Sequence, residues 1–284
     1  CMLQRAYQGF RVEVGELGVV TVTFDRPERM NGMTVGMKRD LIELCTQIQL
    51  DEKVRVVVFT GEGRAFCAGD DLTGGYGSDA NAPTSVPMVH PGHTNALGTY
   101  NGLRTVSQAV NRAVRELDKL TIAALNGFAI QTGFSLALSC DFRIASTDAR
   151  LGSATLRFGL LPDEGGQYLL VQHLGLAKAL DFTMRKRIVP AEEALALGLV
   201  HEVCPPAELA DRTAALAAEL ASGPQVAMRL LKRSLYAAAE LGWAQACDEI
   251  ASKTAITDWH PDAKEGEMSF REKRTPRFNA WLED

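Results

Sequence analysis

The chain has 284 residues, which is enough for one large domain or for one domain with a small appendage. Apolar residues make up 46% of it and charged residues 23%, the balance of an ordinary globular protein. Its net charge of −5, with Lys and Arg scattered along the chain, argues against a nucleic-acid partner. No apolar run approaches the roughly 18–20 residues of a membrane span.

The N-terminal stretch and the cysteines bear on the cellular compartment. The first ten residues lack the charged and apolar regions of a secretory signal. The six cysteines are far apart, and most of them lie in apolar contexts. We therefore expect a cytoplasmic protein whose cysteines are reduced core thiols.

The first quarter of the chain predicts a hairpin, a helix and a buried strand. Apolar and polar residues alternate over 10–14 and 19–24 around a short turn, which is typical of a hairpin. Thr34 can then cap a helix. The apolar face of this helix contains Val35, Leu41, Leu44, Cys45 and Ile48. The continuous apolar run over 54–60 predicts a strand buried on both faces.

A long polar stretch separates this part from the centre of the chain. Residues 73–98 are rich in Gly, Pro, Ser, Asn and His, a composition typical of a lid, a binding loop or a disordered segment. A helix is predicted from about Tyr100 to Lys119. Further elements are expected as a strand at 121–125, a helix at about 132–140 and a strand at 142–145.

The last third of the chain reads as mainly helical. Short helical patterns cover 167–173, 176–184 and 191–197, and a small strand is predicted at 199–203. Pro205-Pro206 then begins an Ala-rich helical region. We place a boundary there, with a core domain at 1–204 and a helical C-terminal region at 205–284.

Several short motifs indicate chemistry only weakly. The pattern Gly-x-Gly-x-x-Phe over 61–66 lacks the third glycine of a dinucleotide fingerprint. His90 and His93 have no further ligand at metal spacing, so we expect no metal site. A solvated loop is the favoured interpretation, and a substrate-facing role is the alternative. Gly133 and Ser135 imitate part of a serine-hydrolase elbow, but Ser135 lies too far beyond the preceding strand for that turn.

Asp163 and Glu164 form the most informative carboxyl pair. Both follow Pro162, and acidic residues there suit the first turn of a helix running through Lys178, where they would cap free N–H groups. That structural interpretation competes with a role in acid–base catalysis. The residues alone leave both open.

Taken together, several ordered blocks resemble the crotonase (enoyl-CoA hydratase/isomerase) superfamily over essentially the whole chain. RAFCAGDDL at 64–72 and CDFRIA at 140–145 resemble the family's RAFCAGADL and CDIRIA. LLPDEGG at 160–166 resembles IIPGAGG. Further blocks lie at 25–32, 126–135, 191–200 and 272–278.

The resemblance implies a fold, a substrate class and an assembly. The fold would be α/β, a spiral of ββα units with a helical C-terminal trimerisation region. The substrate would be an acyl-CoA thioester, with coenzyme A as part of the substrate and no other cofactor, in a homotrimer or hexamer without nucleic acid or membrane. The backbone amides of Asp70 and Thr132 would form an oxyanion hole.

The resemblance also implies which residues contact the substrate. Around the hole, the expected substrate- and CoA-binding residues are Arg29, Met30, Ala68, Asp70, Leu72, Gly133, Ser135 and Thr155. Phe270 and Lys273 would approach CoA, possibly from a neighbouring subunit.

The departures from the family pattern guide the functional prediction. Hydratases of the family use two glutamates, and Ser135 and Thr155 stand in those places here. Asp163 occupies a position where several isomerases of the family, and a dehalogenase, carry an aspartate. The resemblance therefore makes Asp163 the leading catalytic candidate and Glu164 a weaker partner.

These features favour an enoyl- or dienoyl-CoA-type isomerase with Asp163 as its base. The alternatives within the family are a hydratase or thioester hydrolase in which Glu164 or the loop histidines replace the missing glutamates. Two alternatives belong to other functional classes. They are a catalytically inactive acyl-CoA-binding homologue and a serine hydrolase that uses Ser135. The acyl chain itself cannot be predicted.

Overall fold

The computed structural model describes residue 3 and residues 5–73 and 95–283. The strands are β1 (Phe10–Val14), β2 (Val19–Phe24), β3 (Val56–Gly61), β4 (Ala65–Cys67), β5 (Leu120–Leu125), β6 (Phe128–Ile130), β7 (Phe142–Ser146), β8 (Arg150–Gly152), β9 (Ile188–Pro190) and β10 (Glu202–Cys204). The helices are α1 (Val35–Leu50), α2 (Ala96–Gly102), α3 (Gln108–Arg115), α4 (Thr132–Ser139), α5 (Gly166–Leu174), α6 (Leu176–Met184), α7 (Ala191–Leu197), α8 (Leu209–Ser222), α9 (Gln225–Ala238), α10 (Trp243–Asp258) and α11 (Pro261–Glu272).

The strands form two sheets that the chain visits in turn. The larger sheet has the order β1-β2-β3-β5-β7-β10, and the smaller has the order β4-β6-β8-β9. All neighbours are parallel except the hairpin β1-β2 and the pair β8-β9. Each of β3, β5 and β7 is followed by a strand of the smaller sheet, so the chain winds as a spiral of ββα-like turns. This is the crotonase-like α/β fold.

The strand β3 shows how the sequence builds the core. Val57 and Phe59 belong to the larger apolar cluster, which includes residues of α1, α3, α4 and α5. Val56 and Val58 point to the other face of the sheet, where α8 packs. A strand buried on both faces is therefore confirmed here, because apolar helices cover both sides of the sheet.

The helix α1 begins as its sequence predicts. The Thr34 side chain accepts a hydrogen bond from the Met37 amide at 3.1 Å and thereby caps the helix. The predicted apolar face is buried, with Leu41, Leu44 and Ile48 all fully covered.

Several predicted boundaries move. The helix expected over 100–119 begins at Ala96, passes through a π-helical turn at Leu103–Ser107 and ends at Arg115. The strand expected at 199–203 is β10, at Glu202–Cys204. It begins later than predicted because Gly198 ends α7 in a left-handed conformation and the chain turns at residues 198–199. The predicted loop 73–98 lies mostly outside the described residues, together with His90 and His93.

The C-terminal region is helical as expected, and its first helix belongs to the core. Leu209, Ala217 and Leu220 of α8 are buried against the large sheet. The division at residue 205 stays a prediction. The described cysteines are free, and all of them except Cys247 are buried. Within the described ranges, no helix combines the length and apolar character needed to cross a membrane.

Candidate active site

Two loops, 26–33 and 68–73, are tied together at one edge of the molecule. The Ala68 amide donates to the Met30 carbonyl at 3.0 Å. The guanidinium of Arg26 donates to the Gly32 carbonyl and to the Asp71 carboxylate, both at 2.7 Å. These bonds fix the backbone on both sides of Asp70.

The amide of Asp70 is directed away from the first loop. Met33 donates to the Gly69 carbonyl and accepts from the Asp71 amide, both at 2.9 Å. In a parallel bridge of this kind, the groups of the intervening residue, here Asp70, face the other way. None of the described residues accepts a hydrogen bond from the Asp70 amide, so it is available to a ligand.

The second candidate amide is the first of helix α4. Gln131 precedes the helix with a φ of +50°, a conformation uncommon for a residue with a side chain. A Cβ on Gly133 would come within 2.0 Å of the Cys67 carbonyl, so only glycine lets this helix end lie directly on β4. This close approach brings the two predicted residues together, since Thr132 Oγ1 lies 2.7 Å from Asp70 Oδ1. The pairing of their amides in one oxyanion hole stays a prediction.

Glu164 is buried against this pair of residues. It is only 2% exposed. Its Oε1 lies 2.8 Å from Thr132 Oγ1, and its Oε2 accepts from Gln131 Nε2 at 2.8 Å. The side-chain amides of Gln108 and Asn111 donate to the carbonyls of Asp163 and Glu164, both at 3.0 Å. The segment that carries both carboxyls is thus held by α3.

The hydroxyl of Thr132 contacts both Asp70 and Glu164. This hydroxyl carries one proton and lies between two carboxyl groups. The Asp70 carboxylate is ion-paired with Lys38 Nζ at 2.8 Å. If the Thr132 hydroxyl donates its proton to the Asp70 carboxylate, the same hydroxyl oxygen can accept a hydrogen bond from a protonated Glu164 carboxyl.

The surroundings agree with a neutral Glu164. Burial raises its pKa to about 8, the charges of Asp163 and Asp70 add to the rise, and Lys38 opposes it. At neutral pH the carboxyl therefore keeps its proton. Glu164 can act as an acid under conditions where an ordinary glutamate cannot.

Asp163 and Glu164 do not cap the helix that follows them. The structural interpretation placed both in the first turn of a helix through Lys178. Helix α5 instead begins at Gly166, is preceded by Gly165 in a left-handed conformation, and has no side-chain cap. It ends at Leu174, because Gly175 separates it from α6. The cap interpretation is therefore wrong.

The two hydroxyl residues at the hydratase glutamate positions meet the same cluster. Ser135 Oγ lies 3.5 Å from Glu164 Oε2. Thr155 donates to Gln131 Oε1 at 3.2 Å. Ser135 is buried within α4, and none of the described histidines bonds to it, which disfavours a serine hydrolase.

The expected CoA-binding residues are only partly brought together. The Arg29 guanidinium donates to Thr73 Oγ1 at 3.3 Å, beside Leu72, which is 62% exposed. Phe270 lies on α11 with 85% of its surface exposed, and Lys273 ends that helix. No hydrogen bond between described residues links either of them to the two loops.

Comparison with known proteins gives a consistent result. The family model for enoyl-CoA hydratase/isomerase matches residues 15–280. The 1,2-epoxyphenylacetyl-CoA isomerase of Escherichia coli is 33% identical over 272 residues, which cover 93% of this chain and 95% of that protein. An enoyl-CoA hydratase of Alternaria alternata is 30% identical over 277 residues, covering 96% and 87%.

The chain belongs to the enoyl-CoA hydratase/isomerase family. A crystal structure of enoyl-CoA hydratase from Bacillus anthracis superimposes with a TM-score of 0.85, at 28% identity, covering 95% of this chain and 99% of that one. The family acts on acyl-CoA thioesters. The predicted family membership and fold are therefore confirmed.

Two side chains of the site were missed at the level of sequence. Lys38 carries the cation beside Asp70, and Gln131 holds the Glu164 carboxyl. Lys38 stands three residues before Leu41 and seven before Cys45, so it falls on the apolar face of α1. A lysine on such a face was the available signal, since a buried cation needs a partner. No signal singled out the Gln131 side chain.

Proposed function

We propose that this enzyme is an acyl-CoA isomerase that moves a carbon–carbon double bond along the acyl chain. The observation that carries the proposal is the buried Glu164 carboxyl beside Asp163, 2.8 Å from Thr132 Oγ1, with a pKa that burial raises. The hydroxyls at Ser135 and Thr155, where the family's hydratases carry glutamates, support it further. So does the similarity to an isomerase of Escherichia coli.

The isomerisation needs one proton to leave carbon and one to return. The thioester carbonyl accepts hydrogen bonds from the Asp70 and Thr132 amides. Asp163 takes a proton from the γ carbon, or from one further along the chain, and the C–H electron pair moves into the conjugated system as an enolate. Glu164 gives its proton to another carbon of that system, and the thioester carbonyl reforms. The proton on Asp163 then passes to Glu164, so both carboxyls return to their starting state with no net change in composition.

The oxyanion hole lowers the barrier by binding the charge that develops on the carbonyl oxygen. A fixed donor in a site that excludes water contributes roughly 3–4 kcal/mol. Each carboxyl has a separate task. Asp163 is half-buried and serves as the base, whereas Glu164 keeps its proton at neutral pH and serves as the acid beside it.

Hydration is the second candidate, and one distance favours it. Glu164 Oε2 lies 3.5 Å from Ser135 Oγ, so the Glu164 carboxyl reaches the side-chain position at which the family's hydratases carry a glutamate. Water addition also needs a second carboxyl to orient the water molecule. Thr155 offers a hydroxyl instead, and for this reason we rank hydration below isomerisation.

A panel of 2-enoyl, 3-enoyl and 2,4-dienoyl-CoA thioesters separates the candidates in one experiment. Products are resolved by liquid chromatography with mass detection, and free CoA is followed with a thiol reagent. Isomerisation gives a new peak of unchanged mass. A product heavier by one water molecule supports a hydratase, and release of CoA supports a hydrolase. Binding without any product would contradict an enzymatic role on this panel.

A further inference from the structure

Lys38 is a fully buried cation on the core-facing side of α1. The residue has no exposed surface, and its ammonium group lies 2.8 Å from Asp70 Oδ1 and 2.9 Å from Ser107 Oγ. Transferring a lysine from water to a protein interior is costly, and the cost is offset only by good pairing. An apolar residue would fill this place on the helix at lower cost, so the charge itself requires an explanation.

Lys38 begins a continuous chain of polar contacts that ends at the catalytic carboxyl. Its ammonium binds Asp70, whose Oδ1 lies 2.7 Å from Thr132 Oγ1. The same hydroxyl oxygen lies 2.8 Å from Glu164 Oε1. Every link shares an atom with the next, so a change of charge at one end alters the hydrogen bonding at the other.

We infer that Lys38 is a positioning residue, which acts through Asp70 and Thr132 on the hydrogen-bond chain that ends at the Glu164 carboxyl. By orienting this chain, Lys38 also holds together the two residues of the proposed oxyanion hole. The inference rests on the proposed function only for the role of Glu164 as an acid. The ammonium pairs with the Asp70 carboxylate. Thr132 then donates to Asp70 and accepts from Glu164.

The charges that face Glu164 come from several elements. Asp163 adjoins it in the chain, Asp70 follows β4, and Lys38 lies on α1. The Cys67 thiol on β4 is neutral, since burial raises its pKa to about 12. Glu164 also borders a cavity of about 720 Å³ between α3, α5 and α9. The charged side chains around that cavity are Arg112, Arg115, Glu116, Lys232, Arg233 and Glu240.

Removing Lys38 has a defined sign. Loss of a positive charge raises the pKa of the carboxyls that remain near it. Glu164 is the carboxyl to follow, because the charge of Lys38 lowers its pKa in the wild-type protein. Lys38→Met should therefore raise the pKa of Glu164, whereas Asp70→Asn, which removes a negative charge, should lower it.

The test is a carbon-13 NMR titration of the full-length protein labelled at the glutamate side-chain carboxyl, which needs no substrate. Glu164→Gln identifies the Glu164 signal by its loss. We expect the midpoint of that signal to move up by about one pH unit in Lys38→Met and to stay near the wild-type value in Lys38→Arg. Lys119→Met is the matched control. Lys119 is also buried, but it donates to the Asp51 carbonyl at 2.9 Å outside the site, so the midpoint should not move.

Asp70→Asn keeps the test decisive if Lys38→Met does not fold. A downward shift in Asp70→Asn supports the inference. Equal midpoints in wild type and either folded variant, or a shift of the same size in Lys119→Met, would overturn it. Isomerase activity is measured separately on the same samples. Shifted midpoints without isomerisation would uphold the hydrogen-bond chain and reject the proposed function.

Discussion

At the scale of single residues, Asp163 and Glu164 are neighbours with different surroundings. Glu164 is buried and touches Thr132 and Gln131, whereas Asp163 is half-buried and held mainly through its backbone carbonyl. A pair of carboxyls whose environments separate their proton affinities can divide the work of acid and base. The sequence indicated the pair, but only the structure shows which member is buried.

The first prediction concerns how stability depends on pH. In the unfolded chain Glu164 ionises near 4.5, whereas in the folded protein it keeps its proton until about pH 8. Unfolding between these values releases a proton, so the contribution of Glu164 is fully present below about pH 4.5 and is lost as the pH rises to 8. Glu164→Gln removes this loss. The difference in free energy of unfolding, Glu164→Gln minus wild type, should therefore increase by up to about a few kcal/mol from pH 5 to pH 8.

Urea denaturation at a series of pH values measures this difference. The control is Glu192→Gln, which changes an exposed carboxyl on α7 and should follow wild type throughout. Parallel curves for wild type and Glu164→Gln across this range would show that Glu164 ionises normally in the folded protein.

At the scale of elements, the site depends on the close packing of the start of α4 on β4. The Gly133 position allows this contact, since any Cβ there would come within 2.0 Å of the Cys67 carbonyl. The same contact places Thr132 beside Asp70. The proposed oxyanion hole therefore depends on how the two elements pack, and a small change of backbone position would separate its two donors.

The second prediction follows from this packing. Gly133→Ala should displace α4 from β4, lower the free energy of unfolding by about 1–3 kcal/mol and abolish turnover. Thermal denaturation and the enoyl-CoA assay measure the two effects. Gly15→Ala is the control, because a Cβ there meets its nearest neighbour at 3.5 Å, an ordinary contact. Activity retained in Gly133→Ala would contradict a hole built on this contact.

The sequence was sufficient for the elements whose signals are local. The cap at Thr34 and the apolar runs at β3 and β5 gave the correct element types, because capping and periodicity act within a few residues. The two acidic residues after Pro162 were open to two interpretations, since they satisfy the same local rule whether they cap a helix or enter a site. The structure rejects the cap, and the catalytic role that the resemblance implies for Asp163 stays a prediction.

The polar network of the site could not be predicted in the same way. Lys38, Asp70, Thr132 and Glu164 are separated by tens of residues and meet only when α1, β4 and α4 pack together. Which hydroxyl faces which carboxyl depends on that packing. Sequence patterns indicate which side chains share one face of a helix. They do not indicate which residues of another element those side chains contact.

At the scale of the whole molecule, the C-terminal helices expose much apolar surface. Trp243, Trp259 and Phe270 are 85%, 90% and 85% exposed. Further exposed apolar residues on α9 and α10 are Leu231, Leu235, Ile250 and Ile256. Large exposed apolar patches of this kind are typical of surfaces that bind another protein.

The third prediction is that these helices pair with other copies of the chain. We expect a trimer or a hexamer, as the resemblance implies, because association would bury the exposed tryptophans. Light scattering after size-exclusion chromatography at micromolar concentration measures the mass. A monomer would show that the helices do not associate.

The fourth prediction links assembly to CoA binding. Arg29 lies in the 26–33 loop and donates to Thr73 of the 68–73 loop, whereas Lys273 ends α11. If a neighbouring subunit supplies Lys273, both Arg29→Ala and Lys273→Ala should weaken CoA binding in the assembled protein. Isothermal titration calorimetry measures the affinity. Unchanged affinity in both variants would show that these cations are ordinary surface charges.

The most direct test of the account is deuterium exchange into an isomerising enoyl-CoA by wild type and Asp163→Asn. We predict that Asp163→Asn lowers the rates of both isomerisation and deuterium exchange by about 10²–10⁴-fold. Its stability should change by no more than about 0.5 kcal/mol, because Asp163 caps no helix. Ser135→Ala should lose far less activity. Near-normal exchange in Asp163→Asn, with none in Glu164→Gln, would assign the base to Glu164, and full activity in both variants would contradict the mechanism.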